Sequence, residues 1–303
     1  MTIAQEDLGS WCRQHLDAEP VATLFESGHL AAVIGLQLDS GRRVVVKARP
    51  PAARLGACVD VQRHLWASGF PCPEPLAGPA ALGTLTATAE SLVEGGGPLE
   101  RGSDAAVLFA GALAELVSRA YSLHLSSTLD PAPAWVNWDH DEPGVWPPAD
   151  DRDDDLNGYP DPRWLSEVAN RARSQLRASR LPRVIGHADW YQANLCWIGR
   201  RLHVVHDWDS VVFLPEAAIA GSASAIYTQF AGAAASLLDS KDFLEAYEDA
   251  RGRKWTDEEQ RVCWASGVWQ MAFDAKKQTL DGTGTSLPRL EEEAARRLEL
   301  AGA

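Results

Sequence analysis

Cysteine is scarce in this chain of 303 residues: Cys12, Cys58, Cys72, Cys196 and Cys263 are odd in number, scattered, and not in the paired spacings of a zinc site. That excludes a disulfide scaffold and points to reduced thiols in a cytoplasmic protein. Positive charge is also short. Acids outnumber bases by 14, which leaves no basic face for phosphate backbones and argues against a nucleic-acid partner. The chain opens Met1-Thr2-Ile3-Ala4-Gln5-Glu6, with no cationic segment running into an apolar one, so no signal sequence is expected. One uncharged stretch, Ala217 to Leu238, reaches the length of a membrane span. Its Ala, Gly and Ser content, broken by Tyr227, Thr228 and Gln229, is too weakly hydrophobic for that, so it reads as one or two buried helices and no membrane partner is expected. No internal repeat occurs. With 46% hydrophobic residues, the chain is long enough to bury a sizeable core.

What is present is concentrated in two segments. The first is His187-Ala188-Asp189-Trp190-Tyr191-Gln192-Ala193-Asn194, and the second is Asp207-Trp208-Asp209. Carboxylates among apolar side chains are costly unless a cation neutralises them, which a metal ion does well. Leu195 to Ile198 and Leu202 to His206 read as two strands around a Gly199-Arg200-Arg201 turn. That hairpin brings Asn194 opposite His206 and beside Asp207. An amide oxygen and a carboxylate oxygen then converge, both hard donors of the kind magnesium takes, and Asp189 is left free to meet a substrate. A rival reading makes His187, Asp189, His206 and Asp207 the ligands of a transition metal in a phosphohydrolase.

The spacing H-x-D-x4-N, a short hairpin and then an apolar-D-W-D segment resembles the aminoglycoside phosphotransferase and choline kinase superfamily. The resemblance implies an α+β, two-lobed protein-kinase-like fold, with a small antiparallel-sheet N-lobe and a larger, mainly helical C-lobe. It implies ATP and Mg2+ as cofactors and transfer of the γ-phosphate to a small-molecule hydroxyl acceptor of aminoglycoside, sugar or amino-alcohol type. Carried over by position, Asp189 is the catalytic base, Asn194 and Asp207 hold the metal, His187 is a scaffold residue and Asp209 a second acidic position at the site. Two departures stand out. His206 replaces an aliphatic residue before Asp207, and Pro215-Glu216-Ala217-Ala218 lacks the aspartate that braces the loop in the family's Pro-x-x-Asp. A catalytically degenerate, nucleotide-binding member is therefore the second alternative.

A kinase needs an upstream lysine on a strand and a cover for the phosphates. Val21 to Phe25, Leu30 to Leu38 and Arg42 to Ala48 read as three strands, the last two joined by Asp39-Ser40-Gly41. Lys47 shares a face with Val45, where its ammonium reaches the α- and β-phosphates; taken alone, it is an ordinary strand-end lysine. The Glu26-Ser27-Gly28-His29 turn supplies the cover without a G-x-G-x-x-G, so Ser27 and Gly28 are candidate nucleotide contacts. Protein kinases pair the strand lysine with a helix glutamate. On the helix expected from Asp60 to Trp66 the only acid is Asp60, which either reaches Lys47 or merely favours the helix's first turn. Leu85 to Val93 reads as a strand entering Gly95-Gly96-Gly97. It resembles the family's hinge, with Glu90 to Leu92 at the adenine, and sets a boundary near residue 95 between lobes 1–95 and 96–303.

Helices are expected over Asp104 to Leu125 behind a Ser103 or Asp104 cap, and over Pro162 to Ser179, Asp257 to Lys277 and Pro288 to Leu300. Eight acids and one arginine fall between Asp139 and Asp155, among Pro143, Pro147 and Pro148. This segment reads as a solvated loop or as a rim drawing a cationic acceptor. Tryptophan is abundant, 12 against 7 phenylalanines. Trp190, beside the proposed base, is expected to line the acceptor pocket, with Asp139, Asp141 and Asp274 as further candidate acceptor contacts.

Overall fold

The computed structural model describes residues 3–28, 30–100, 102, 104–123, 128–228 and 234–303. His29 of the expected phosphate turn and Ser103 of the expected cap lie outside the described residues, as do parts of the expected 104–125 helix and of the uncharged 217–238 stretch.

The N-terminal part begins with helix α1 (Gln5–Leu16), which sequence reading did not anticipate. Strands β1 (Pro20–Ser27), β2 (Ala32–Leu38) and β3 (Arg43–Arg49) follow, then α2 (Leu55–Ala67), β4 (Pro75–Leu82) and β5 (Leu85–Ser91). The strands form one antiparallel sheet in the order β1-β2-β3-β5-β4. Alternation of side chains across the strands gives the sheet two faces. Ile34, Leu36, Leu38, Val44, Val46 and Ala48 are buried with Leu8, Trp11, Cys12 and Leu16 of α1 in one core. Val33, Val45, Lys47 and Arg49 fall on the other face, toward the rest of the molecule. The proline-rich chain at 71–75 leads directly into β4, whose Gly78 and Pro79 fall between paired positions at a register shift.

The larger part is mainly helical: α3 (Ala105–Ala120), α4 (Arg163–Ala178), α5 (Glu216–Ile226), α6 (Leu237–Arg251), α7 (Asp257–Asp281) and α8 (Ser286–Ala301). Two short ribbons interrupt the helices. β6 (Arg183–His187) pairs with β9 (Val211–Pro215), and β7 (Leu195–Ile198) with β8 (Arg201–Val205). The expected two-lobed α+β architecture is thus observed, and the uncharged stretch divides into α5 and the start of α6. No helix among the described residues is long and apolar enough to cross a membrane. The second core runs from the tryptophans around the ribbons to α8 and also takes Ala57, Cys58, Val61 and Leu65 of α2. Helix α2 is therefore seated on the larger part, although it stands in the chain between two strands of the small sheet.

Helices α5 and α7 approach closely where small residues face each other. A Cβ on Gly221 would lie 2.1 Å from the Cys263 carbonyl oxygen, and one on Gly267 3.1 Å from that of Gly221. This contact sets the position of α7, whose Gln270, Phe273, Asp274 and Lys277 face the cleft described below. Gly221→Ala is expected to destabilise the fold by about 1–3 kcal/mol, because the helices must part to admit the methyl. A urea midpoint within error of the native one would show that the crossing is not tight.

Candidate active site

Between the sheet and the helices lies a cleft of about 670 Å³. Its upper wall is Gly28, Leu30, Ala31, Val33, Lys47 and Arg49, and its floor carries Asp189, Asp207 and Asp209. Gly28 is required at the lip. Its φ is +152°, and a Cβ there would fall 2.0 Å from the Ala31 carbonyl oxygen, so the backbone folds over the cleft only without a side chain. Ser27 ends β1, exposed and paired in register with Val33. Of the loop expected to cover the phosphates, Gly28 lines the cleft, followed by Leu30 and Ala31.

The floor is built as the hairpin pattern implied. The His206 N–H donates to the Asn194 carbonyl oxygen at 2.8 Å, which fixes Asn194 beside Asp207. The Asn194 amide donates to both the carbonyl oxygen and Oδ2 of Asp189, at 2.9 and 2.7 Å. Both amide hydrogens are then engaged, and Oδ1 is the atom left to accept. Asp207 adopts left-handed backbone, φ +65°, and its carboxylate accepts from Ser210 Oγ at 2.9 Å. Burial, then the charge of Asp207, pushes the Asp189 carboxyl up to about 7, against the lowering effect of the Asn194 hydrogen bond.

His187 is fully buried. Its Nδ1 accepts from the Asp189 N–H and its Nε2 donates to the His206 carbonyl oxygen, both at 3.2 Å. A backbone donor on one nitrogen and a carbonyl on the other fix the neutral tautomer, and burial lowers its pKa. With both nitrogens engaged His187 is no metal ligand, and among the described residues no group of three or more His, Cys, Asp or Glu is arranged to hold a metal. That removes the phosphohydrolase reading. Magnesium takes one or two protein oxygens and completes its shell with phosphates and water, and the Asp207 carboxylate and Asn194 Oδ1 are hard oxygen donors of that kind.

The missing Pro-x-x-Asp brace is made good by other groups. The Trp135 indole N–H donates to the Ala188 carbonyl oxygen at 3.2 Å, and the Ala188 N–H to the Ser210 carbonyl oxygen at 2.8 Å. The Trp190 indole donates to Phe109 at 2.9 Å. Trp190 is entirely buried, with His187 edge-on to its ring. Its expected place in the acceptor pocket is wrong: it holds the loop from beneath. Glu216, in the segment where the aspartate was sought, is instead shared by Arg251, Arg253 and Tyr247.

Three further expectations are corrected. Asp60 is exposed and paired with Arg63 at 2.7 Å, since it lies on the outer side of α2. Lys47 takes Glu90 instead, Nζ to Oε1 at 2.8 Å, with both side chains largely buried. Glu90 therefore turns its side chain to the lysine. Asp139 and Asp141 do not line the cleft. Asp139 pairs with Arg177 at 3.1 Å, and both residues border a separate depression behind the Pro131–Pro148 wall. The acidic segment is not a free solvated loop either. Lys277 holds Asp151 at 2.5 Å, Arg152 holds Asp281 at 3.0 Å, and buried Lys276 donates to the Tyr159 carbonyl oxygen at 2.7 Å. Folded onto α7 in this way, it brings Asp150 and Asp151 into the cleft opposite Asp274, together with Trp135 and Phe273. Burial raises the Asp150 carboxyl above its usual range.

Sequence reading missed Arg49 and Arg54. Arg49 pairs with the Asp209 carboxylate, and Arg54 donates to the Asp209 carbonyl oxygen at 2.7 Å and to that of Val211. The signal for Arg49 was available, because a residue two beyond Lys47 on a strand shares its face. Leu92 follows β5, its N–H donating to the Arg43 carbonyl oxygen at 3.0 Å.

A model of the APH phosphotransferase enzyme family matches residues 21–263. No curated protein matches the sequence significantly. Among solved structures, an amicoumacin kinase in complex with AMP-PNP, Ca2+ and its antibiotic is similar with a TM-score of 0.63 at 10% identity, over 93% of this chain and 89% of that one. A spectinomycin phosphotransferase with ADP and spectinomycin gives 0.55 at 13%, over 100% and 99%. The macrolide 2'-phosphotransferase of Brachybacterium faecium gives 0.53 at 16%, over 97% of each. At these identities the likeness establishes the fold alone.

An acid that ionises near 4 in the unfolded chain and near 7 in the fold favours the fold below pH 4 and weighs against it as pH rises through that window. In the nucleotide-free protein, Asp189→Asn is expected to add about 1–3 kcal/mol of stability at pH 8 and almost none at pH 4. Thermal melts at the two pH values check this; an equal effect at both would mean that Asp189 carries no raised pKa.

Proposed function

Because the chain belongs to the phosphotransferase enzyme family, we propose that it transfers the γ-phosphate of ATP to a hydroxyl of a small molecule. The observation that carries this reading is Asp189. A half-buried carboxylate with its pKa raised to about 7 lies at the floor of an open cleft, next to Asn194 and Asp207 and under a strand lysine.

In this reading the nucleotide lies beneath the sheet, with adenine at the backbone of Glu90 to Leu92 and phosphates under the 27–31 turn. The lobes divide near residue 95, where Gly95 and Gly96 both take positive φ. Lys47 neutralises the α- and β-phosphates. Asn194 and Asp207 would hold magnesium, which would supply charge neutralisation to the nucleotide phosphates when bound. Asp189 accepts a hydrogen bond from the acceptor hydroxyl, aligns its oxygen in line with the γ-phosphorus and takes the proton as the new O–P bond forms and the bond from the γ-phosphorus to the β,γ-bridging oxygen breaks, releasing ADP. His187, neutral and fixed, keeps the loop in register without exchanging a proton.

The acceptor enters on the side of α7. There Asp150, Asp151 and Asp274 stand with the rings of Trp135 and Phe273, a wall suited to a hydroxylated molecule carrying amines, as in aminoglycosides, amino sugars and amino alcohols. Positioning and charge stabilisation supply most of the acceleration in phosphoryl transfer, so the base contributes a limited share.

ATP consumption with magnesium, measured across a panel of hydroxylated acceptors, tests the reading. Turnover is expected with one acceptor class. Asp189→Asn is expected to lose roughly 10²- to 10⁴-fold in kcat with nucleotide binding retained; normal turnover in that variant would sink the base assignment. Asp207→Asn is expected to weaken magnesium-ATP binding, and unchanged affinity would count against its place as a metal ligand.

A further inference from the structure

Kinases hold the strand lysine with a glutamate on the helix that follows it, and movement of that helix makes or breaks the pair. Here the helix lacks that acid. Its inward position is Gln62, which is buried and donates from Nε2 to the Pro73 carbonyl oxygen at 3.0 Å and to Glu90 Oε2 at 2.9 Å. The other carboxylate oxygen of Glu90, Oε1, meets Lys47 Nζ at 2.8 Å. Gln62, Glu90, Lys47 and Thr88 line one small cavity. The carboxylate thus sits where helix, strand and lysine converge, mounted on β5.

The sheet register explains the arrangement. Lys47 pairs with Thr88, and Val45 with Glu90, so Lys47 and Glu90 are diagonal neighbours on one face, within reach of two long side chains. Both belong to one antiparallel sheet and cannot part without breaking its ladder. Helix α2, by contrast, is seated on the core of the larger part. A carboxylate mounted on α2 would tie the lysine to motion between the lobes, whereas one mounted on β5 does not.

We propose that Glu90 is the positioning residue for Lys47, taking over from strand β5 the role of the helix-borne acid, so that the phosphate-binding lysine is held by a carboxylate of its own sheet. Gln62, a neutral donor, secures the remaining oxygen of Glu90. This rests on the reading of Lys47 as the lysine that meets the nucleotide phosphates.

The test is calorimetric titration of the full chain with magnesium-ATP and, separately, with adenosine, which has the base and no phosphate. Glu90→Gln keeps the shape and removes the charge. It is expected to weaken magnesium-ATP binding roughly 10- to 100-fold, the range of coupling seen for residues in direct contact, while adenosine affinity changes less than twofold. Glu90→Asp, charged but one methylene shorter, is expected to fall between the native protein and Glu90→Gln. The exchange Gln62→Glu/Glu90→Gln, which returns the acid to the helix, is expected to recover most of the loss. Unchanged ATP affinity in Glu90→Gln would overturn the proposal. So would an equal loss for ATP and adenosine, which would mark a collapsed base pocket, or an exchange variant no tighter than Glu90→Gln. A native chain that does not bind magnesium-ATP would instead overturn the nucleotide reading of the cleft, whatever Glu90 does.

Discussion

An ionised carboxylate withdrawn from water needs a compensating cation, and the cleft is organised around how each of its acids meets that need. Glu90 has Lys47, and Asp209 has Arg49. Asp189 and Asp207 have no ion-pair partner among the described residues. They are held by the Asn194 amide and the Ser210 hydroxyl. The outcome is visible in Asp189, whose proton is retained to about pH 7. Of these four acids, two are satisfied by a cation within the protein and two are not. Under the proposed function, a magnesium-bound nucleotide would bring the missing positive charge and an acceptor hydroxyl the proton donor.

The satisfied pairs also join the two parts of the molecule. Arg49 reaches from β3 to the Asp209 carboxylate, and Arg54, just before α2, reaches two carbonyl oxygens of the same segment. The segment bearing Asp207 is thereby tied to the sheet bearing Lys47. From the other side, indole donors brace the loop bearing Asp189. Trp135 bonds the residue before it, while Trp190 and Trp208 enclose His187 edge-on. The abundance of tryptophan serves this purpose: a large apolar body fills the core, and a single N–H satisfies one loop carbonyl. Trp135 serves both sides, bonding the loop that bears Asp189 while it also lines the cleft.

Much of this could be read from local pattern. Strand alternation gave β2, β3 and β5, a turn between two apolar runs gave the β7–β8 hairpin, and that hairpin alone placed Asn194 beside Asp207. Each rests on spacing within a few residues, where the period of the chain fixes which side chains share a face. Helix α1 and strand β4 were not read. The former was passed over as the leading segment of the chain, and the prolines flanking the latter suggested a connector.

The sequence by itself determined the loop-and-hairpin frame and the places of Lys47, Asp189, Asn194 and Asp207 on it, because each is set by short-range spacing, whereas the two-lobed fold was implied by the resemblance those residues carry. Tertiary structure alone decided their partners. Lys47 could meet Asp60 or Glu90 until the strand order put β5 beside β3 and turned Asp60 outward. Trp190 could face the pocket or the core until α3 offered its Phe109 carbonyl. The acidic segment could lie in water until α7 supplied Lys277 for Asp151 and Asp281 for Arg152. Which of several chemically suitable groups arrives first at a charge depends on chain topology over tens to hundreds of residues, and no local period encodes that distance.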